Sequence, residues 1–195
     1  MGCTLTTLPG PRERGWGQGG PARYIPSVPT EVISDVSLRS LQRDEVRPLS
    51  EWTTTFQLFV AVLDPYTQQS AWILPTAARL LREYAEADCR VGFVMTCDAD
   101  DARQFLGPMA EEFMVFIDPD RTAAKALGLS TLPALVHVDQ SPAVVGAAEG
   151  WDTQGWRAVA MELSKVLGWT PPGLPNAVDP GAFAGTPVDG SPAQG

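Results

Sequence analysis

The segment Gln57-Leu58-Phe59-Val60-Ala61-Val62-Leu63 is apolar at every position after the first. A strand can be apolar on both sides only when both of its faces are covered. That is the situation of an inner strand in a sheet with helices above and below. Asp64-Pro65 ends the run, because proline has no N–H for a sheet ladder. Then Ile73, Ala77, Leu80, Leu81 and Tyr84 recur at helical spacing, with Arg79, Arg82, Glu83 and Glu86 off that stripe. The spacing predicts a helix from about Ser70 to Ala87, with Pro75 bending it. A second buried strand follows at Arg90–Thr96 (RVGFVMT). A strand, a helix and a second buried strand make a parallel crossover unit.

The remaining periodicity extends this plan. Val36, Leu38 and Leu41, then Val46 and Leu49, predict a hairpin turning at Gln42–Glu45 ahead of the central strand. Asp98 is placed to cap a helix through Leu106. Phe113–Ile117 is a short strand. Asp118-Pro119-Asp120 opens a helix with Pro119 in its first turn, and Gly128 closes it. Ala134–Asp139 and Val144–Ala147 form an antiparallel pair about Gln140-Ser141-Pro142. A final helix is capped by Asp152 and stopped by Gly168 and Pro171, with Trp156, Val159, Ala160, Leu163, Val166 and Leu167 on its inner stripe. The order is β-α-β-α-β-β-α. The fold class is α/β, a mixed central sheet with helices on both faces and an N-terminal hairpin.

Outside this middle, residues 9–29 and 171–195 alternate proline, glycine and polar side chains. Such segments offer too little apolar area to offset the entropy of ordering them. The expected organisation is a disordered tail over 1–32, one domain over 33–168 and a second disordered tail over 169–195. Gly15, Gly17 and Gly20 have the spacing of a dinucleotide-binding loop, but no strand precedes them and no helix follows, so the match is fortuitous.

Fourteen basic and 23 acidic side chains leave a net charge of −9, carried by the middle of the chain, which argues against nucleic acid as a partner. No apolar run reaches the ~20 residues of a membrane-spanning helix, and no signal-like segment opens the sequence. The expected location is cytoplasmic, with Cys3, Cys89 and Cys97 reduced. The start Met1-Gly2-Cys3-Thr4-Leu5-Thr6 fits the loose myristoylation pattern, which is too common to carry weight. A lone histidine (His137) and three scattered cysteines make no metal site of familiar spacing, and no cofactor is implied.

A strand, a short loop, a helix with an internal proline and, much later, a Leu-Pro opening a hairpin resemble the thioredoxin superfamily. The hairpin spanning Asp35-Val36-Ser37-Leu38 to Pro48-Leu49-Ser50-Glu51-Trp52 resembles the TlpA-type thioredoxins and the AhpC/TSA peroxiredoxins. So does the run from Phe116-Ile117-Asp118-Pro119-Asp120 through Ala126-Leu127-Gly128-Leu129-Ser130-Thr131-Leu132-Pro133. The resemblance spans roughly residues 33–168. It implies that Pro75 is the family's helix proline, that Pro133 is its cis-proline, and that the backbone beside Pro133 pairs with an extended peptide.

The same resemblance implies that the family's Cys-x-x-Cys falls on Thr67-Gln68-Gln69-Ser70, where there is no sulfur. Its chemistry needs a thiolate that can become a sulfenate or a mixed disulfide. A hydroxyl can do neither. As a nucleophile Ser70 would need a neighbouring base, and His137 lies mid-strand; an N-cap role at the helix start is the simpler reading. Cys89 and Cys97 bracket one strand, over 20 Å apart at about 3.3 Å per residue, too far for a disulfide. Cys97 stands at the carboxyl end of a parallel strand, where such sheets bind ligands, but Asp98, Asp100 and Asp101 would raise its pKa. Trp72, Trp151 and Trp156 read as packing residues.

Two functions follow. One is a redox-inactive module that binds a protein or extended peptide in a groove formed by Thr67, Gln68, Gln69, Ser70, Leu132 and Pro133. The alternative is a thiol–disulfide oxidoreductase or thiol peroxidase working through Cys97.

Overall fold

The computed structural model describes residues 36–189 and, of the preceding segment, the backbone of Tyr24–Pro26. The Gly2–Cys3 pattern and the three spaced glycines lie outside the described residues. The strands are β1 (Tyr24–Pro26), β2 (Ser37–Ser40), β3 (Val46–Pro48), β4 (Gln57–Leu63), β5 (Cys89–Met95), β6 (Met114–Ile117), β7 (Thr131–Leu132), β8 (Ala134–Val138), β9 (Val144–Glu149) and β10 (Thr186–Pro187). The helices are α1 (Leu49–Thr53), α2 (Gln68–Glu83), α3 (Ala99–Leu106), α4 (Met109–Glu112), α5 (Thr122–Ala126) and α6 (Thr153–Leu167).

Eight strands form one mixed sheet in the order β1-β9-β8-β4-β5-β6-β2-β3. β4, β5 and β6 run parallel, and β8, β9, β2 and β3 are antiparallel to their neighbours. The alternation along β4 explains the apolar run. Phe59, Ala61 and Leu63 join the core beneath α2 and α6 with Ile73, Leu80, Trp156 and Leu163. Leu58, Val60 and Val62 join a second core with Leu49, Trp52, Ala123 and Ala124 from α1 and α5. Each such leucine or valine, fully buried, stabilises the fold by about 1.5–3 kcal/mol. The sheet is thus covered on both faces, as the apolar run requires.

Several expectations need correction. Residues 169–189 are not a detached tail. Leu174 is buried, Asp179 accepts from Arg79 Nη2 (2.7 Å) and from the Thr76 hydroxyl (2.9 Å), and β10 pairs antiparallel with β7. A proline-rich composition lowers the entropy to be lost on ordering, so a few anchors suffice to hold such a segment. Likewise β1, within the expected N-terminal tail, adds an edge strand to β9.

Pro119 is not in the first turn of α5, which begins at Thr122. Asp118 reaches forward instead, its carboxylate accepting from the Ala123 and Ala124 N–H groups at 3.0 and 2.8 Å. Helix α2 starts at Gln68 rather than Ser70, and ends at Glu83 rather than Ala87. Trp151 and Trp156 pack edge to face in the core at 5.2 Å, but Trp72 is 54% exposed and makes a T-shaped contact with Phe183.

Candidate functional site

The register that sets Val62 opposite Ala134 brings Pro133 to the carboxyl end of β4, where the 64–67 turn enters α2. The two stretches singled out by sequence therefore share one end of the sheet. That turn is a closed hydrogen-bond system. The Asp64 N–H donates to Ser70 Oγ (2.9 Å), the Thr67 hydroxyl donates to the Asp64 carbonyl (2.9 Å), and the Thr67 and Ser70 hydroxyl oxygens lie 3.0 Å apart. Thr67, not Ser70, is the N-cap of α2, accepting the Ser70 N–H at 3.4 Å. Ser70 is fully buried within the first turn, where its oxygen satisfies the Asp64 N–H that would otherwise be orphaned. Gln68 is exposed and Gln69 half-buried, both on the rim of this turn.

Among the described residues no basic side chain is hydrogen bonded to Ser70. His137 is buried opposite Phe59, about 13 Å along the strand from the carboxyl end of β4, where its Nε2 is hydrogen bonded to Gln57 Oε1. Desolvation pushes the imidazole down to about 4, against the opposing pull of Asp139 and Glu162, so it is neutral near pH 7.

Cys97 lies two residues past β5, 2% exposed and packed into the α2–α6 core. Burial first, then Asp101, Asp98 and Asp64, push its thiol up to about 12. Cys89, also free, is likewise pushed up to about 12 by desolvation and by Asp88. Neither thiol has the electropositive, accessible surroundings that generate a thiolate.

Close by, a cleft of about 500 Å³ is lined by Pro65, Tyr66, Leu74, Asp101, Gln104 and Phe105. The Tyr66 hydroxyl is hydrogen bonded to Asp101, which, more than burial, raises the phenol to about 12.

Asp64, which sequence reasoning passed over, links this turn to the rest of the molecule. Its buried carboxylate accepts from Arg121 Nη2 (2.8 Å), and Arg121 Nη1 donates to the Val188 carbonyl (2.6 Å). The acid-proline bracket at Asp64-Pro65 marked only a strand end, so nothing in the sequence pointed to an ion pair spanning 57 residues. The Leu132–Pro133 peptide is cis, both residues are buried, and the Pro133 carbonyl accepts from the Gly150 N–H (2.8 Å). Among the described residues no cluster of His, Cys, Asp or Glu could hold a metal ion, and no helix is long and apolar enough to cross a membrane.

Comparison with solved structures gives the same architecture. The chain superposes on a protein described as the thiol:disulfide interchange protein DsbE from Chlorobium tepidum with a TM-score of 0.59 at 18% identity, covering 71% of this chain and 97% of the other. A protein described as a thioredoxin from Neisseria meningitidis gives 0.54 at 16% identity, covering 67% and 85%. A PrxQ variant from Xylella fastidiosa gives 0.51 at 14%, covering 78% and 96%. The protein has a thioredoxin-like fold, of the kind shared by disulfide interchange proteins and peroxiredoxins. No family model matches the sequence, and no curated protein matches it either.

Proposed function

We propose that this chain is a thioredoxin-like module without thiol–disulfide chemistry, which serves to bind an extended protein segment at the end of the sheet that carries Thr67–Ser70, Leu132 and Pro133. The observation carrying the first half is the turn at α2. Two hydroxyls occupy the positions that the resemblance assigns to a sulfur pair, and both are committed to holding the backbone. The second half is supported by the short strand β7 beside Pro133, whose edge already pairs with an extended stretch of this same chain, β10, and so suits pairing with an extended segment. Fold alone carries no activity over.

The alternative, catalysis through Cys97, requires a buried thiol surrounded by three carboxylates to ionise. An insulin-reduction assay and a peroxide-consumption assay, run on the parent and on Cys97→Ser, test the proposal. Both proteins are expected to match buffer. Activity in the parent that Cys97→Ser loses would establish the alternative.

A further inference from the structure

We propose that residues 183–189, Phe-Ala-Gly-Thr-Pro-Val-Asp, are a ligand that the chain carries for its own β7 edge, and that the same edge, once vacated, takes an extended segment of the same chemistry from a partner. This rests on the binding role proposed above and specifies its occupant and its regulation. β7 is only two residues long, and among the described residues its ladder partner is β10, with Thr186 opposite Leu132 and Pro187 opposite Thr131. Without β10 the carbonyls of Ser130 and Leu132 would form an open strand edge, which templates pairing with another extended chain.

Each position of the segment meets a specific demand. Gly185 crosses so close to β7 that a Cβ there would lie 2.8 Å from the Leu132 carbonyl oxygen and 2.9 Å from Thr131 Cβ. A Cβ on the facing Gly150 would come within 2.9 Å of the Gly185 nitrogen, so the crossing requires two bare backbones. The Thr186 hydroxyl donates to the Leu132 carbonyl at 3.3 Å. Pro187 is exposed at a position where the ladder asks for no N–H. The Val188 N–H donates to the Ser130 carbonyl at 2.8 Å, and its side chain, 2% exposed, joins the core that contains Ala123, Ala124, Leu127 and Leu132. Arg121 holds the Val188 carbonyl, and Lys125 pairs with Asp189 at 2.9 Å. A segment of the pattern glycine, threonine, proline, aliphatic, acid is therefore what this edge recognises.

The attachment is local. Val188 is the one side chain buried within 183–189, whereas the stretch before it is fixed separately by Asp179 on Arg79 and Thr76 and by the Trp151 indole on the Pro180 carbonyl (2.8 Å). Residues 184–189 can leave β7 while 174–183, with the Phe183 backbone paired on Trp151, stay docked. A tethered ligand competes at an effective concentration of the order of millimolar, so a partner's segment binds weakly until the tether is displaced.

The test uses the full chain and two variants, Gly185→Val, which cannot make the close crossing, and Val188→Asp, which cannot fill the core. Amide hydrogen exchange reports release at Val188, with the amides of the central strand β4, paired on both sides, as a control for the intact fold. A fluorescently labelled peptide of residues 183–189 is then titrated by anisotropy. Both variants are expected to lose protection at Val188, keep it along β4, and bind the peptide at least about tenfold more tightly than the parent. A Val188 amide that stays protected in both, or a released edge that binds the peptide no better than the parent, overturns the inference. The same variants enter the insulin assay. An opened variant that reduces insulin would sink the redox-silent reading while leaving the tethered ligand standing, and a silent variant that ignores the peptide would do the reverse.

Discussion

At the scale of single residues, Thr67 and Ser70 commit their hydroxyls to the turn that opens α2, and burial decides the titration. His137 is the sharpest case. Its Nδ1 is buried without a partner, and desolvation holds its pKa at about 4 in the folded chain against 6.5 as the ordinary value. The unfolded chain therefore binds the proton more readily between those two values. Stability from this group is fully present above pH 6.5 and is lost as pH falls toward 4, by on the order of 3 kcal/mol. Urea unfolding between pH 7 and pH 4 is expected to show a shallower loss for His137→Gln than for the parent. Equal slopes would mean that the carboxylates alone set the acid sensitivity. The sequence disclosed that His137 lay in a strand, but alternation in ALVHVD gave no side to it, because β8 turns out to be covered on both faces.

At the scale of elements, hydrophobic runs were the most legible feature. Strand β4 appears with the bounds its composition suggests, since seven residues that bury both faces admit few alternatives. Helix starts were harder, because a cap acts through local geometry that several residues can supply. Asp98 caps α3 as expected, accepting from Asp100 and Asp101 N–H at 3.0 Å each. At α5 the capping carboxylate is Asp118, five residues before the first amide it holds, and the residue next to the helix, Arg121, takes a left-handed conformation (φ 57°). Asp118→Ala strands both amides in a buried turn. It is expected to lower unfolding stability by about 1–2 kcal/mol, measured by urea titration with Asp120→Ala, an exposed neighbour, as the near-neutral control. A change under about 0.5 kcal/mol would show that Asp118 is not the cap that matters.

At the scale of the whole molecule, what sequence could not reveal was distance. The Arg121 bridge joins Asp64, at the mouth of α2, to Val188, 67 residues beyond the arginine, and no local pattern encodes such a link. The C-terminal stretch looked disordered because its apolar side chains are few; Leu174 and Val188 are nonetheless buried, and Phe183 shares two 2.9 Å backbone hydrogen bonds with Trp151. The candidate site was thus half legible. Its residues at Thr67–Ser70 and Leu132–Pro133 stood out through the resemblance, while the segment that covers Leu132 did not.

The proposed redox silence rests on Thr67 and Ser70 standing where the resemblance places a sulfur pair. With the two hydroxyl oxygens 3.0 Å apart, a Thr67→Cys/Ser70→Cys variant is expected to close a disulfide in oxidised dithiothreitol, seen by mass spectrometry as the loss of two hydrogens, while the parent keeps all its thiols. A double variant that stays fully reduced, or a parent that forms a disulfide of its own, would contradict it.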